Sequence, residues 1–141
     1  MKAKCQIWSE APEIGIPDQP ALMSDAERLW LSYAIAPSSH VYAVVLFTGI
    51  IDHRLSPIND EGLGQHPYAA AGLQFYSFQE ILGSEEAKSW ELLGATHWVV
   101  TFKDVTLDVI ARGVAVLAAD LEAKNAKSAL LEFLANENLD R

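Results

Sequence analysis

From Leu29 to Ile51 the chain carries no Asp, Glu, Lys or Arg over 23 consecutive residues. So long an uncharged run is expected to be buried, either in a membrane or inside a protein core. A spanning helix needs about 20 predominantly apolar residues without a break, and Pro37-Ser38-Ser39-His40 interrupts this run with turn chemistry. Two short apolar segments remain. The second, Val41 to Phe47, is β-branched and aromatic without a period of 3.6, which is the pattern of a strand covered on both faces. It is expected to be the central strand, with Leu29 to Ile35 as its hairpin neighbour. Ser24-Asp25-Ala26-Glu27 has the form of a capping box. A helical turn at 24–28 feeding the strand, or one helix continuing to Tyr33, would both satisfy it.

Elsewhere the pattern is mixed. Trp98, Val100 and Phe102 alternate with Val99, Thr101 and Lys103, and Val105, Leu107, Val109 and Ala111 alternate beyond them. Period two on both sides of Lys103-Asp104 predicts an antiparallel hairpin. Leu107, Ile110, Val114, Leu117 and Leu121 also have helical spacing, so 105–121 is open between strand and helix, with Gly113 favouring strand. Ser84 is a good N-cap for a helix over 85–93 closed by Gly94, which would turn Ala87, Trp90 and Leu93 to the core. A last helix is expected from about Asp120 to Asn136, with Ala126, Leu130, Phe133 and Leu134 on its inner stripe. In 73–82 the apolar set changes face between Phe75 and Tyr76, as a bulged strand or a helical turn would require. Pro12, Gly15, Pro17 and Pro20 deny regular structure to 9–23, so 1–23 is expected to be an irregular arm. With 141 residues, half of them hydrophobic, the expectation is one α+β domain: a mainly antiparallel sheet with two or three helices, the C-terminal one packed on one face.

Net charge and cysteine usage exclude more than they name. Ten bases against nineteen acids leave −9, with no basic cluster, which argues against nucleic acid and anionic membranes as partners. The single cysteine, Cys5, allows no internal disulfide and no cysteine-based zinc site. No apolar stretch follows the basic N-terminal residues, so no secretory signal is read and a cytoplasmic location is expected.

One segment looks chemical. Residues 52–68 crowd Asp52, His53, Arg54, Asn59, Asp60, Glu61 and His66 into a Pro- and Gly-punctuated loop leaving the central strand, a usual mounting place for binding groups. His53, Arg54, Asn59, Asp60, Glu61 and His66 are therefore the candidate binding residues. Asp60, Glu61 and His66, joined by His53, could ligate a divalent cation, or a histidine flanked by carboxylates could act as a base. The structural alternative makes Asn59 and Asp60 turn formers and pairs Arg54 with Asp60 or Glu61. No metal-binding spacing, nucleophile elbow or phosphate loop occurs, so no metal or cofactor is assigned. His40 is expected to be solvated in its turn and His97 to be a satisfied residue at a sheet rim. Trp8, on the arm, is the leading interface candidate.

Two functions follow. The first is a non-catalytic binding or protein-interaction domain, expected to self-associate as a homodimer through an exposed sheet edge or the arm. Its acidic face spans 57–91, where six acids and one base hold −5 of the total. The alternative is a small hydrolase or isomerase with its site in the 52–68 loop, His66 or His53 serving as base and Asp60 or Glu61 as orienter or metal ligand.

Overall fold

The computed structural model describes residues 2–139 except Pro17, Asp18 and Ser39; Pro17 of the expected arm and Ser39 of the expected turn thus lie outside the described residues. Seven strands form one antiparallel sheet: β1 (Lys4–Ile7), β2 (Ala21–Ser24), β3 (Arg28–Ala34), β4 (Val41–Ser56), β5 (Phe78–Leu82), β6 (Thr96–Thr101) and β7 (Thr106–Glu122). Their order across the sheet is β1-β5-β6-β7-β4-β3-β2. One helical turn, α1 (Glu85–Lys88), and one longer helix, α2 (Ala126–Leu139), accompany them.

The uncharged run is the hairpin its composition implies. β3 pairs with β4 from Arg28↔Thr48 to Ala34↔Tyr42, and Tyr42 through Val45 are fully buried. Leu29, Leu31, Tyr33, Ala43, Val45 and Phe47 face one side, where they meet Phe78, Trp98, Val100, Leu107, Val109 and Ala111. Each large side chain sealed there contributes about 1.5–3 kcal/mol relative to exposure. The middle strand is β7 rather than β4, which sits beside it. The capping-box reading fails. No helical turn forms at 24–28, because Asp25 rather than Ser24 accepts from the amides of Glu27 and Arg28 and makes the β2–β3 turn.

Residues 105–121 are strand, not helix. β7 pairs with β4 from Ser56↔Thr106 to Val41↔Glu122, because a strand of that length finds ladder partners on both sides for its first half. The apparent helical spacing mixes the two faces of β7, with Leu107 in the main core and Ile110 buried on the other side, and register shifts add residues to β7 between Val116 and Ala118 and between Ala118 and Leu121. Two glycines let the strands approach at the crossover: a Cβ on Gly113 would lie 2.8 Å from Thr48 Oγ1, and one on Gly49 (φ +62°) 2.8 Å from Arg112 Cβ. Glycine in a strand marks this kind of close approach and bend.

Three other expectations need correction. The N-terminal 23 residues are not an irregular arm throughout, since β1 pairs with β5 and β2 with β3; among the described residues between them only the isolated bridge Ile14↔Ile35 is added. Trp8 is no free interface residue, since its ring packs 4.8 Å from Phe78 and 5.4 Å from Trp98. The helix count is also lower than expected. Ser84 caps α1 by accepting from Ala87 N, but the helix ends at Lys88 and continues only as a 3-10 turn, Glu91–Leu93, closed by Gly94 at φ 72°. That short piece leaves Trp90 and Leu93 exposed instead of in the core.

α2 begins later than expected because β7 continues to Glu122, and Asn125 caps it by accepting from Ser128 N at 2.8 Å. Ala126 and Ala129 pack on Ala34 and Tyr42, on the opposite face from the main core. The face change in 73–82 comes from Tyr76, whose φ of 49° turns the chain before β5.

Candidate functional site

On the face of β6 and β7 opposite the main core, four polar side chains form one buried hydrogen-bonded chain. Val99 pairs with Asp108 and His97 with Ile110, so His97 and Asp108 are diagonal neighbours on the same face, within reach of long side chains. His97 Nε2 lies 2.8 Å from Asp108 Oδ2. His66 arrives from the loop between β4 and β5, directly after the 3-10 turn Leu63–Gln65 whose Leu63 is buried. Its Nε2 lies 2.9 Å from Asp108 Oδ1. Ser84, the α1 cap, places Oγ 2.7 Å from His97 Nδ1. Ser84, His66 and His97 are each 3% exposed and Asp108 is 7%.

The backbone fixes the protons. Tyr68 N–H donates to His66 Nδ1 at 3.0 Å, so that nitrogen keeps its lone pair and Nε2 carries the hydrogen donated to Asp108. Burial alone would raise the Asp108 carboxyl, but donation from both imidazoles outweighs it and holds the group at about 2. As an acceptor-only carboxylate, Asp108 requires His97 to donate through Nε2, leaving Nδ1 to face Ser84. Ser84 Oγ also accepts from Ala87 N at 3.2 Å and lies 3.3 Å from Glu86 Oε2. Tyr68 closes the rim, its hydroxyl donating to Glu86 Oε1 at 3.1 Å and accepting from Glu85 N at 3.0 Å. A cavity of about 130 Å³ adjoins the chain, lined by Asp52, Arg54, His66, Tyr68, His97 and Asp108 among others.

Of the sequence candidates, only His66 belongs to this cluster. Its partner is Asp108 on β7, not Asp60 or Glu61. Asp60 turns the other way: it accepts from Tyr76 OH and from Glu61 N, and its own amide donates to Lys103 O. Asn59 accepts from Gly62 N at 2.8 Å, as a turn former does. Glu61 is exposed. His53 and Arg54 are still on β4 and exposed, so the segment before Pro57 is strand rather than loop. Arg54 makes no ion pair with Asp60 or Glu61. Among the described residues no three His, Cys, Asp or Glu side chains are arranged to hold a metal ion.

His97, read as a rim residue, is buried at the centre. Its partner was recoverable, because a hairpin turning at Lys103-Asp104 puts His97 and Asp108 on one face. Ser84 was legible as a cap but not as a partner of His97, since nothing in the sequence fixes how α1 docks on β6.

Beyond Ser84 the character changes. Leu92 is 103% exposed and Trp90 and Leu93 are 44% and 46% exposed, while Glu85, Glu86 and Glu91 are exposed around them. Arg112 Nε donates to Leu93 O at 3.0 Å and ties this knob to β7. Beside it runs an open groove of about 340 Å³, lined by Glu80, Glu85, Lys88 and Glu91 among others. The acids of 57–91 therefore fall into two groups at opposite ends of β6: Asp60 and Glu61 beside Lys103, and Glu80, Glu85, Glu86 and Glu91 around the knob.

Among the described residues, no helix is long and apolar enough to cross a membrane. Comparison with known proteins gives no match: no family model matches the sequence, and no curated protein or solved structure matches the chain.

Proposed function

We propose that this chain is a protein-interaction domain whose docking element is the knob at 84–93, and that its partner presents basic side chains around an apolar pocket. The supporting observation is the fully exposed Leu92 between half-exposed Trp90 and Leu93. An apolar centre within a charged rim is the arrangement of an interface hot spot. Between Glu80 and Leu93 there are four acids and one base, which would steer a basic surface toward the knob and weaken that attraction as salt rises.

A model peptide of alternating Lys and Leu is a suitable probe. Titrated into isotope-labelled protein, it should shift the amides of Glu85 to Leu93 and leave β2 and α2 unmoved, with the response lost in Leu92→Asp. Shifts scattered over the surface, or unchanged in Leu92→Asp, would remove the proposal.

A second reading has one observation in its favour. Ser84 Oγ, His97 and Asp108 follow one another at 2.7 and 2.8 Å, the order of groups that activates a serine for acyl transfer. Against it, Ser84 is 3% exposed and its Oγ already accepts from Ala87 N. A fluorophosphonate probe separates the two readings: attachment to Ser84 that disappears in His97→Gln would favour the enzyme, whereas an unlabelled Ser84 leaves the serine as a cap.

A further inference from the structure

β4 outruns its neighbour. β3 stops pairing at Arg28↔Thr48, and the last bond across that side is Ile50 N to Glu27 O at 3.2 Å. From Asp52 to Ser56 the strand is held by β7 alone, so its other side presents an open strand edge. Asp52, His53, Arg54 and Leu55 are all exposed there, Leu55 at 46%. Such an edge is a template for another strand.

We infer that this edge pairs with the same edge of a second copy, antiparallel and centred on His53. A two-fold axis perpendicular to the sheet would place Asp52 opposite Arg54 of the second copy, and Arg54 opposite its Asp52, giving two cross-strand ion pairs on one face. On the other face His53 meets His53 of the second copy, with Leu55 of each copy flanking the pair. The charges select this register. Slipping by two residues in either direction sets Asp52 against Asp52 or Arg54 against Arg54, and like charges directly opposite are destabilising. Asp52 and Arg54 form no ion pair among the described residues, so both charges are available. The acidic knob, by contrast, repels its own kind, whereas the β4 edge offers two copies of a −9 chain opposite charges at facing positions.

The test is a charge swap on the exposed edge. Asp52→Arg and Arg54→Asp each put like charges opposite one another in a homodimer, and each should weaken self-association at least tenfold in sedimentation equilibrium. Mixed in equal amounts they should form a heterodimer, because every facing pair is then opposite in sign, and the double swap in one chain should restore the homodimer. Directly opposite residues lie about 4.5–5.5 Å apart between Cα atoms, within disulfide range, so His53→Cys in a Cys5→Ser background should oxidise to a covalent dimer. Wild-type protein that remains monomeric at about millimolar concentration, or single variants that associate no better together than apart, would overturn the inference and make Asp52 and Arg54 guards of an edge that pairs with nothing.

Discussion

The His66–Asp108–His97–Ser84 chain and the knob at 90–93 are neighbours joined through α1, yet they are opposites in physical terms. In the first, every side chain is buried and its polar atoms are matched; in the second, apolar side chains stand in water among exposed carboxylates. Completed interactions of the first kind stabilise the fold, and the second kind is stabilised only by something that binds. The chemically suggestive residues here are tied into internal hydrogen bonds, while the apparently plain segment 90–93 is the one that meets solvent.

The sharpest way to break the contrast is Asp108→Asn, which should cost about 3 kcal/mol because the amide group faces an imidazole N–H that then has no acceptor. Urea denaturation measures it, and a loss below about 1 kcal/mol would show that the chain is not a structural unit. Acid gives the next effect. With the Asp108 carboxyl held near 2 in the fold and near 3.9 when unfolded, its contribution is complete above pH ~4, shrinks as pH falls through that window and is gone below about 2. That contribution is about 2.5 kcal/mol, present in wild type and missing from Asp108→Asn when denaturation is followed between pH 5 and 2. Ser84→Ala should cost about 1–2 kcal/mol through the lost cap and the lost partner of His97. Leu92→Asp should change stability by no more than about 0.5 kcal/mol. A clearly destabilised Leu92→Asp would mean that the knob is part of the core's support, and the contrast would fall.

Much of the fold was written locally. Period two at 98–112 and the uncharged run at 29–51 gave the two central hairpins, because side-chain alternation is set by the strand itself. The helical spacing in 105–121 misled because β7 is apolar on both faces near its start and bulged near its end, and nothing in the sequence announces which partner strands cover it. The 85–93 helix was overestimated because a good cap says where a helix starts and not whether a core waits beneath it. The candidate site was half legible: His66 stood out, but the loop's own carboxylates were assigned to it, whereas Asp108, 42 residues away, is the acid it meets.

The β4–β7 ladder joins residues separated by 50 positions at one end, Ser56 with Thr106, and by 81 at the other, Val41 with Glu122. Most of the sheet's longest contact is therefore non-local, and such topologies fold on the millisecond-to-second scale because loop closure precedes any reward. During synthesis the β3–β4 hairpin leaves the ribosome some 50 residues before its second neighbour exists, with Val44, Val45 and Phe47 uncovered on an open edge. β7 is thus more than the middle strand: it is the late closure on which protection of the most aggregation-prone stretch of the chain depends.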